Sequence, residues 1–245
     1  MPDSLGDRMK AQYESRTRMM LPRRTYTLIR VDGKAFHTWT RHSVRPYDVN
    51  LARCFDVAAA ALCKEAQGAS LAYLQSDEIS VLLTDFATDQ TCAWFDGNVQ
   101  KIASVAASCV TAHFNEAAGG RGIEGMLGLF DARVWTIPDP TEVSNYFIWR
   151  QQDAERNSLS MLASCHFSHA ELHGRDAAAR HDMLHGKGIN WNALPIAQKR
   201  GRCIFYHDGI GKPRLDAGWQ IHNEIPVFIS DEGREWLRAR IPRYV

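Results

Sequence analysis

Two short apolar runs, Leu71–Leu74 and Ile79–Leu83, flank the polar quartet Gln75-Ser76-Asp77-Glu78. Their length and their β-branched and aromatic content predict a strand, a tight polar corner and a second strand. Upstream, Thr25–Val31 has the character of a buried strand and runs into Asp32-Gly33-Lys34-Ala35-Phe36-His37. Between these strands, Leu51–Gln67 predicts a helix with Leu51, Phe55, Ala58, Ala59 and Leu62 on one face, closed by Gly68. A second helix is predicted over Asp96–Asn115, with Ile102, Val105 and Cys109 inward. Lys101 and Ser104 lie three residues apart on it and share a side. Leu129–Ile137 then forms a strand that Pro138 stops. The order is βαββαβ, which predicts a ferredoxin-like α+β fold: an antiparallel sheet with two helices on one face.

Beyond Thr141 the period changes. Val143–Ala163 predicts a long helix, so residues 1–138 are expected to form one domain and residues 139–245 a mainly helical part packed on it. The tail Ile204–Val245 predicts a hairpin and a short last helix. At the other end, Leu5–Arg18 is a short arginine-rich helix stopped before the first strand by Pro22. Ala117–Gly128 is rich in glycine, but its spacing fits neither the dinucleotide-binding nor the P-loop pattern, and a flexible loop is expected.

At 245 residues, with 45% hydrophobic content, the chain can bury one good core or two small ones. No apolar run approaches the eighteen or so residues of a membrane span, and Met1–Lys10 lacks the apolar centre of a secretion signal. The six cysteines show no paired spacing, which predicts reduced thiols and a cytoplasmic protein. A net charge of +1 excludes no partner, because nucleic-acid binding needs only a local basic face. Local basic clusters exist at Arg16–Arg24, Lys199–Arg202 and Arg238–Arg243.

The candidate chemistry sits at strand ends. Adjacent carboxylates at a corner between apolar strands repel, and shielding from water favours their protonated forms. A divalent cation removes that cost, and hard oxygen ligands suit Mg²⁺. Asp32 is a second strand-end acid, and the glycine after it frees backbone N–H groups for an anion. Asp32 and Asp77 are therefore candidates to share metal ions that also hold a triphosphate. Cys165-His166, His169 and His173 have zinc-ligand character but no matching second half-site, so surface or core histidines are expected.

Four segments occur in order: Arg30-Val-Asp-Gly-Lys-Ala-Phe-His37, Gln75-Ser-Asp-Glu78, Phe130-Asp-Ala-Arg133 and Trp149-Arg-Gln-Gln-Asp153. The chain resembles the tRNA-histidine guanylyltransferase family, the 3′→5′ nucleotide-adding polymerases, and most of all its bacterial and archaeal "-like" branch. The resemblance runs from Leu5 to about Arg202. It implies a polymerase/cyclase palm over residues 1–138 and a C-terminal part that contacts tRNA. It also implies a nucleotidyltransferase that adenylylates a tRNA 5′-monophosphate with ATP and then adds GTP or a templated NTP. The eukaryotic branch carries His-Ile-Asn-Asn-Leu-Tyr-Asn-Thr after the helix's acid. Here Glu155-Arg-Asn-Ser-Leu-Ser-Met-Leu162 retains only Asn157 and Leu159, which favours tRNA 5′-end repair over strict tRNA-histidine specificity.

The resemblance further implies roles. Asp32, Asp77 and the Gly33 carbonyl would hold two Mg²⁺, with Glu78 completing the catalytic charge. Gly33, Lys34, Ala35, Phe36 and His37 would cradle the triphosphate, with Arg45, Asp48, Ser76, Lys101 and Ser104 nearby. Arg150, Asp153, Asn157, Lys199, Arg200 and Arg202 would contact tRNA, and the assembly would be a homotetramer. The alternative on the same palm is a nucleotide cyclase or signalling-nucleotide synthase. The Trp149–Asp153 motif and the basic C-terminal part argue against it, since a cyclase needs no tRNA surface.

Overall fold

The computed structural model describes residues 4–119, 126–207 and 218–244. The corner forms as its pattern predicts: β2 (Ala69–Gln75) and β3 (Glu78–Leu83) are antiparallel, joined through Ser76 and Asp77 alone, with Gln75 opposite Glu78. Strand β1 (Tyr26–Gly33) lies antiparallel to β3 and sets Asp32 opposite Glu78. Strand β4 (Phe130–Ile137) takes the other side of β1. Helix α3 (Val49–Glu65) and helix α4 (Val99–Ala118) make the crossovers. The short helix α2 (Phe36–Trp39) follows β1, and α1 (Leu5–Gln12) precedes it with no buried residue.

Helix α4 starts three residues later than the pattern suggests. Asn98 accepts the Lys101 N–H and caps it, after a separate 3₁₀ turn at Trp94–Gly97. Of the glycine-rich loop, Gly120, Gly122 and Gly125 lie outside the described residues.

The C-terminal part does more than wrap the palm. Helices α5 (Pro140–His166), α6 (His169–Leu172), α7 (Ala177–Gly186) and α8 (Ile196–Arg200) lead into β5 (Arg202–His207) and β6 (Gly218–His222), and α9 (Asp231–Arg238) follows. Strand β5 pairs with β2, setting Leu74 opposite Arg202. One six-stranded antiparallel sheet results, in the order β4-β1-β3-β2-β5-β6, and it runs across the boundary expected at residue 138. The first four strands of the chain keep the ferredoxin-like order β4-β1-β3-β2 within it.

Both faces of this sheet are covered. Ile29, Val31, Leu74 and Val81 pack with Phe55, Leu62, Ile102 and Phe114 of α3 and α4. Leu28, Tyr73 and Leu82 on the opposite face pack with Val143 and Phe147 of α5 and Leu237 of α9. Two-sided burial explains why β2 and β3 read as continuous apolar runs without alternation. A third cluster, Leu159, Leu162, Leu184 and Trp191, joins the far end of α5 to the helices after it.

Candidate active site

Asp32 leaves β1 beside the β2–β3 corner, and the two are tied by a hydrogen bond from the Gly33 N–H to the Asp77 carbonyl, 3.2 Å. A methyl group on Gly33 would come 2.3 Å from the Phe36 ring, so this close turn requires glycine. Ala35 then adopts a left-handed φ of 55° and α2 begins. At the helix start the N–H groups of Ala35, Phe36 and His37 have no intrahelical acceptor, and these residues line a cavity of about 510 Å³. The Phe36 side chain faces the other way, into an aromatic cluster with Phe55, Phe114 and Phe130.

Arg45, Tyr47 and Asp48 form another wall of this cavity. Asp48 caps α3 through the N–H groups of Asn50 and Leu51, at 2.9 and 3.0 Å. A third wall comes from the C-terminal part: Asn157 and Met161 on α5, Lys199 on α8, and Arg202. On the other side of the corner lies a second hollow of about 400 Å³, lined by Arg30, Asp32, Glu78, Trp149, Arg150 and Asp153 among others. Gln75, Ser76, Asp77 and Asn157 border both spaces. The acid corner is thus a partition between two concavities.

Burial pushes the Asp77 carboxyl above its ordinary value; its hydrogen bonds oppose the shift, and the Asp32 charge adds to it. Among the described residues, no three His, Cys, Asp or Glu side chains are grouped to hold a metal ion. The donors the corner brings together are the carboxylates of Asp32 and Asp77. These are hard oxygens, and a divalent cation would relieve the strain of ionising Asp77 beside Asp32, so the residues fit such an ion.

Glu78 points elsewhere. Both its oxygens accept from Arg150, at 2.8 and 2.7 Å, and the two side chains are only 8% and 7% exposed. Burial pushes the Glu78 carboxyl up against the pull of Arg150. Arg150 also donates to Asp153 at 2.7 Å, which in turn holds Arg156. The neighbouring Gln151 bonds the backbone of Pro226 and Phe228. The Trp149–Asp153 motif is thus mostly internal bracing for the acid corner.

Several residues expected to contact tRNA are engaged within the fold instead. Arg150 is buried in its ion pair with Glu78, and only a small part of it borders the open hollow. Lys199 is buried, donating to the Asn192 carbonyl at 2.6 Å and lying over the Trp191 ring. Arg200 pairs with Glu155 at 2.7 Å, and buried Arg202 pairs with Asp56 and donates to the Ala52 carbonyl at 2.8 Å. Lys199, Arg200 and Arg202 are held in intramolecular contacts, and Lys199 and Arg202 line the 510 Å³ cavity. Asp153 is held by arginines, whereas Asn157 is exposed on the border of both spaces.

Lys101 and Ser104 also stand apart. Helix α4 buries Ile102, Ala106 and Val110, which leaves these two on its solvent side and in neither space. Tyr47 was not singled out by sequence reasoning, and Trp149 entered it only as part of the Trp149–Asp153 segment. For Tyr47, the aromatic directly after Arg45-Pro46 was the available signal.

A family model described as tRNAHis guanylyltransferase matches residues 6–138. The chain belongs to the tRNAHis guanylyltransferase family. The tRNA(His) guanylyltransferase of Schizosaccharomyces pombe is 30% identical over 205 residues, 78% of this chain and 76% of that protein. A solved bacterial tRNA(His) guanylyltransferase-like protein in complex with ATP matches with a TM-score of 0.88 and 41% identity, over 98% of this chain and 99% of its own. Another, in complex with GTP, matches with a TM-score of 0.81 and 39% identity, over 98% and 100% of the two chains. Family membership agrees with the ferredoxin-like order of β1 to β4 and with the acids at the corner.

Proposed function

We propose that this family member is a Mg²⁺-dependent nucleotidyltransferase that adds nucleotides in the 3′→5′ direction to the 5′ end of tRNA. The observation that carries the reading is the partition. One acid corner borders both a partly open cavity of nucleotide size and a more open polar hollow that an RNA end can enter. A cyclase needs only the first space.

In this reading the triphosphate of the bound nucleotide lies on the N–H groups of Ala35, Phe36 and His37. Lys34 and Arg45, both exposed cations, neutralise its outer charge, and Ser76 bonds it from the corner. The 5′-phosphate oxygen of the RNA attacks the α-phosphorus of ATP, and pyrophosphate leaves. The 3′-hydroxyl of an incoming NTP then attacks the activated 5′-phosphorus, and AMP leaves. Both displacements are in-line phosphoryl transfers, which demand positioning and charge neutralisation above all. Asp32, Asp77 and the Gly33 carbonyl would hold Mg²⁺, whose charge stabilises the transferring phosphoryl group and activates the attacking hydroxyl. Glu78 and Arg150 position the corner on which Asp77 stands. The same reading carries a homotetramer, which light scattering of the purified protein tests.

The test is incubation with Mg²⁺, NTPs and tRNA transcripts lacking their first nucleotide. We expect one templated nucleotide to be added, with ATP required for a 5′-monophosphate and dispensable for a 5′-triphosphate. The altered Glu155–Leu162 segment predicts a preference for this repair over untemplated G addition to tRNA-histidine. Failure to extend any transcript refutes the function, and a faster untemplated reaction refutes the branch.

A further inference from the structure

Trp149 stands on the rim of the open hollow with 48% of its surface exposed, while Phe147 and Ile148 beside it on α5 are buried. Leaving an indole in water forgoes apolar burial, and isolated surface tryptophans are normally free to move. This one is braced on two sides. The Arg150 guanidinium lies over it at 4.4 Å, and Tyr146 meets it edge-on at 5.9 Å and 65°. Both braces are themselves fixed, Arg150 by Glu78 and Asp153, and Tyr146 by a 2.7 Å hydrogen bond with Ser80. The sheet and α5 therefore hold a flat, exposed ring at a set angle above the acids.

The same hollow contains a cation with unused capacity. The Nε of Arg30 is buried and has no hydrogen-bond partner. Arg30 lies two residues before Asp32 on β1, so both side chains project from the same face of the strand. An aromatic platform, an unpaired guanidinium N–H and a pair of acids in one hollow match one ligand chemistry, a nucleobase joined to a phosphate.

We propose that Trp149 is a positioning residue for the RNA acceptor: its ring stacks the 5′-terminal base in the open hollow and so presents the terminal phosphate to the Asp32/Asp77 corner. The proposal rests on the reading above that the site extends RNA 5′ ends. Stacking is tolerant of base identity, which suits an acceptor end whose sequence varies.

The test uses an RNA acceptor hairpin with 2-aminopurine as its 5′-terminal base. Wild type should quench the probe on binding. Trp149→Leu should not, and its KM for RNA should rise roughly 5- to 100-fold, the range of one lost base stack. KM for NTP and the melting temperature should stay at wild-type values. Trp149→Phe, which keeps a ring, should restore quenching and most of the RNA affinity. A Leu variant that quenches and turns over like wild type overturns the proposal, as does an equal rise in both KM values. If the Leu variant melts lower, the Phe variant decides: quenching retained supports the stack, and quenching lost at wild-type stability overturns it. Quenching by a wild-type protein that extends no RNA would refute the activity while supporting the stack. Extension without quenching would do the reverse.

Discussion

Arg150→Met tests the idea that the C-terminal part fixes the acid corner through one buried ion pair. The substitution keeps an unbranched side chain of similar reach but removes the guanidinium over Trp149, both hydrogen bonds to Glu78 and the one to Asp153. Asp153 retains Arg156, but Glu78 is left as a buried carboxylate with no cation bonded to it. Breaking such a pair from one side costs about 3–5 kcal/mol. Protonation limits the loss. The ordinary glutamate value of 4.5 lies about 2.5 pH units below neutrality, and at about 1.4 kcal/mol per unit the ceiling is roughly 3.5 kcal/mol.

The sign with pH follows. Without Arg150, the folded-state value of Glu78 is raised further above its unfolded value. The penalty is then absent in acid, below the ordinary value, and grows as pH rises through the folded value. Urea denaturation should show a gap of about 3 kcal/mol between wild type and Arg150→Met at pH 7, and a clearly smaller one at pH 5. In melting temperature this is about 6–12 °C for a chain of this size. Adding Glu78→Gln should recover part of the loss and remove its pH dependence. Equal stability of Arg150→Met and wild type at pH 7, or a gap that does not change with pH, would refute the reasoning.

Other substitutions separate chemistry from structure. Asp32→Asn and Asp77→Asn should each lower nucleotide addition by at least about 10²-fold, as for loss of other preorganised electrostatic groups. Because burial and then Asp32 hold the Asp77 carboxyl above its ordinary 3.8, ionising it costs the metal-free fold stability at neutral pH. Asp77→Asn should therefore melt no lower than wild type without Mg²⁺ and lose any Mg²⁺-induced rise; a large drop in melting temperature would point to a structural role instead. Arg202→Ala strands Asp56 and should cost about 3 kcal/mol or more in urea denaturation. A folded Arg202→Ala variant of wild-type stability, with a shallower salt dependence of tRNA binding, would restore Arg202 to the RNA surface.

The strands around the corner were legible because the signals were local. Leu71–Leu74 and Ile79–Leu83 need only their own composition to read as strands, and Gln75–Glu78 only its polarity to read as a turn. Asp32-Gly33 was legible for the same reason. What escaped was long-range pairing. Arg202 lies 146 residues from Asp56 and Arg200 lies 45 from Glu155, so a run of cations looked like free surface when both arginines had an acid waiting in another element and Lys199 a backbone carbonyl. Arg150 and Glu78 are 72 residues apart, and nothing near either announces the other. The hairpin at the chain's end was foreseen, but its attachment to β2 could not be, since pairing Leu74 with Arg202 depends on the whole fold between them.

The family model ends at residue 138, where the sequence also places a domain boundary, yet the working site does not end there. Residues 6–138 contain every acid of the corner and the Gly33–His37 segment beside it. The sheet built from them carries Tyr26, Leu28, Leu71 and Leu82 on a face packed against α5, α9 and the segments around them. The same later residues supply Arg150 to hold Glu78, a wall of the larger cavity, and Trp149 on the rim of the open hollow. Without them the corner would keep its carboxylates but lose the contacts that orient them and the surfaces that make two spaces out of one. The recognisable motif and the functional unit are therefore different lengths of chain: the first supplies the chemistry, and the second gives it two places to act.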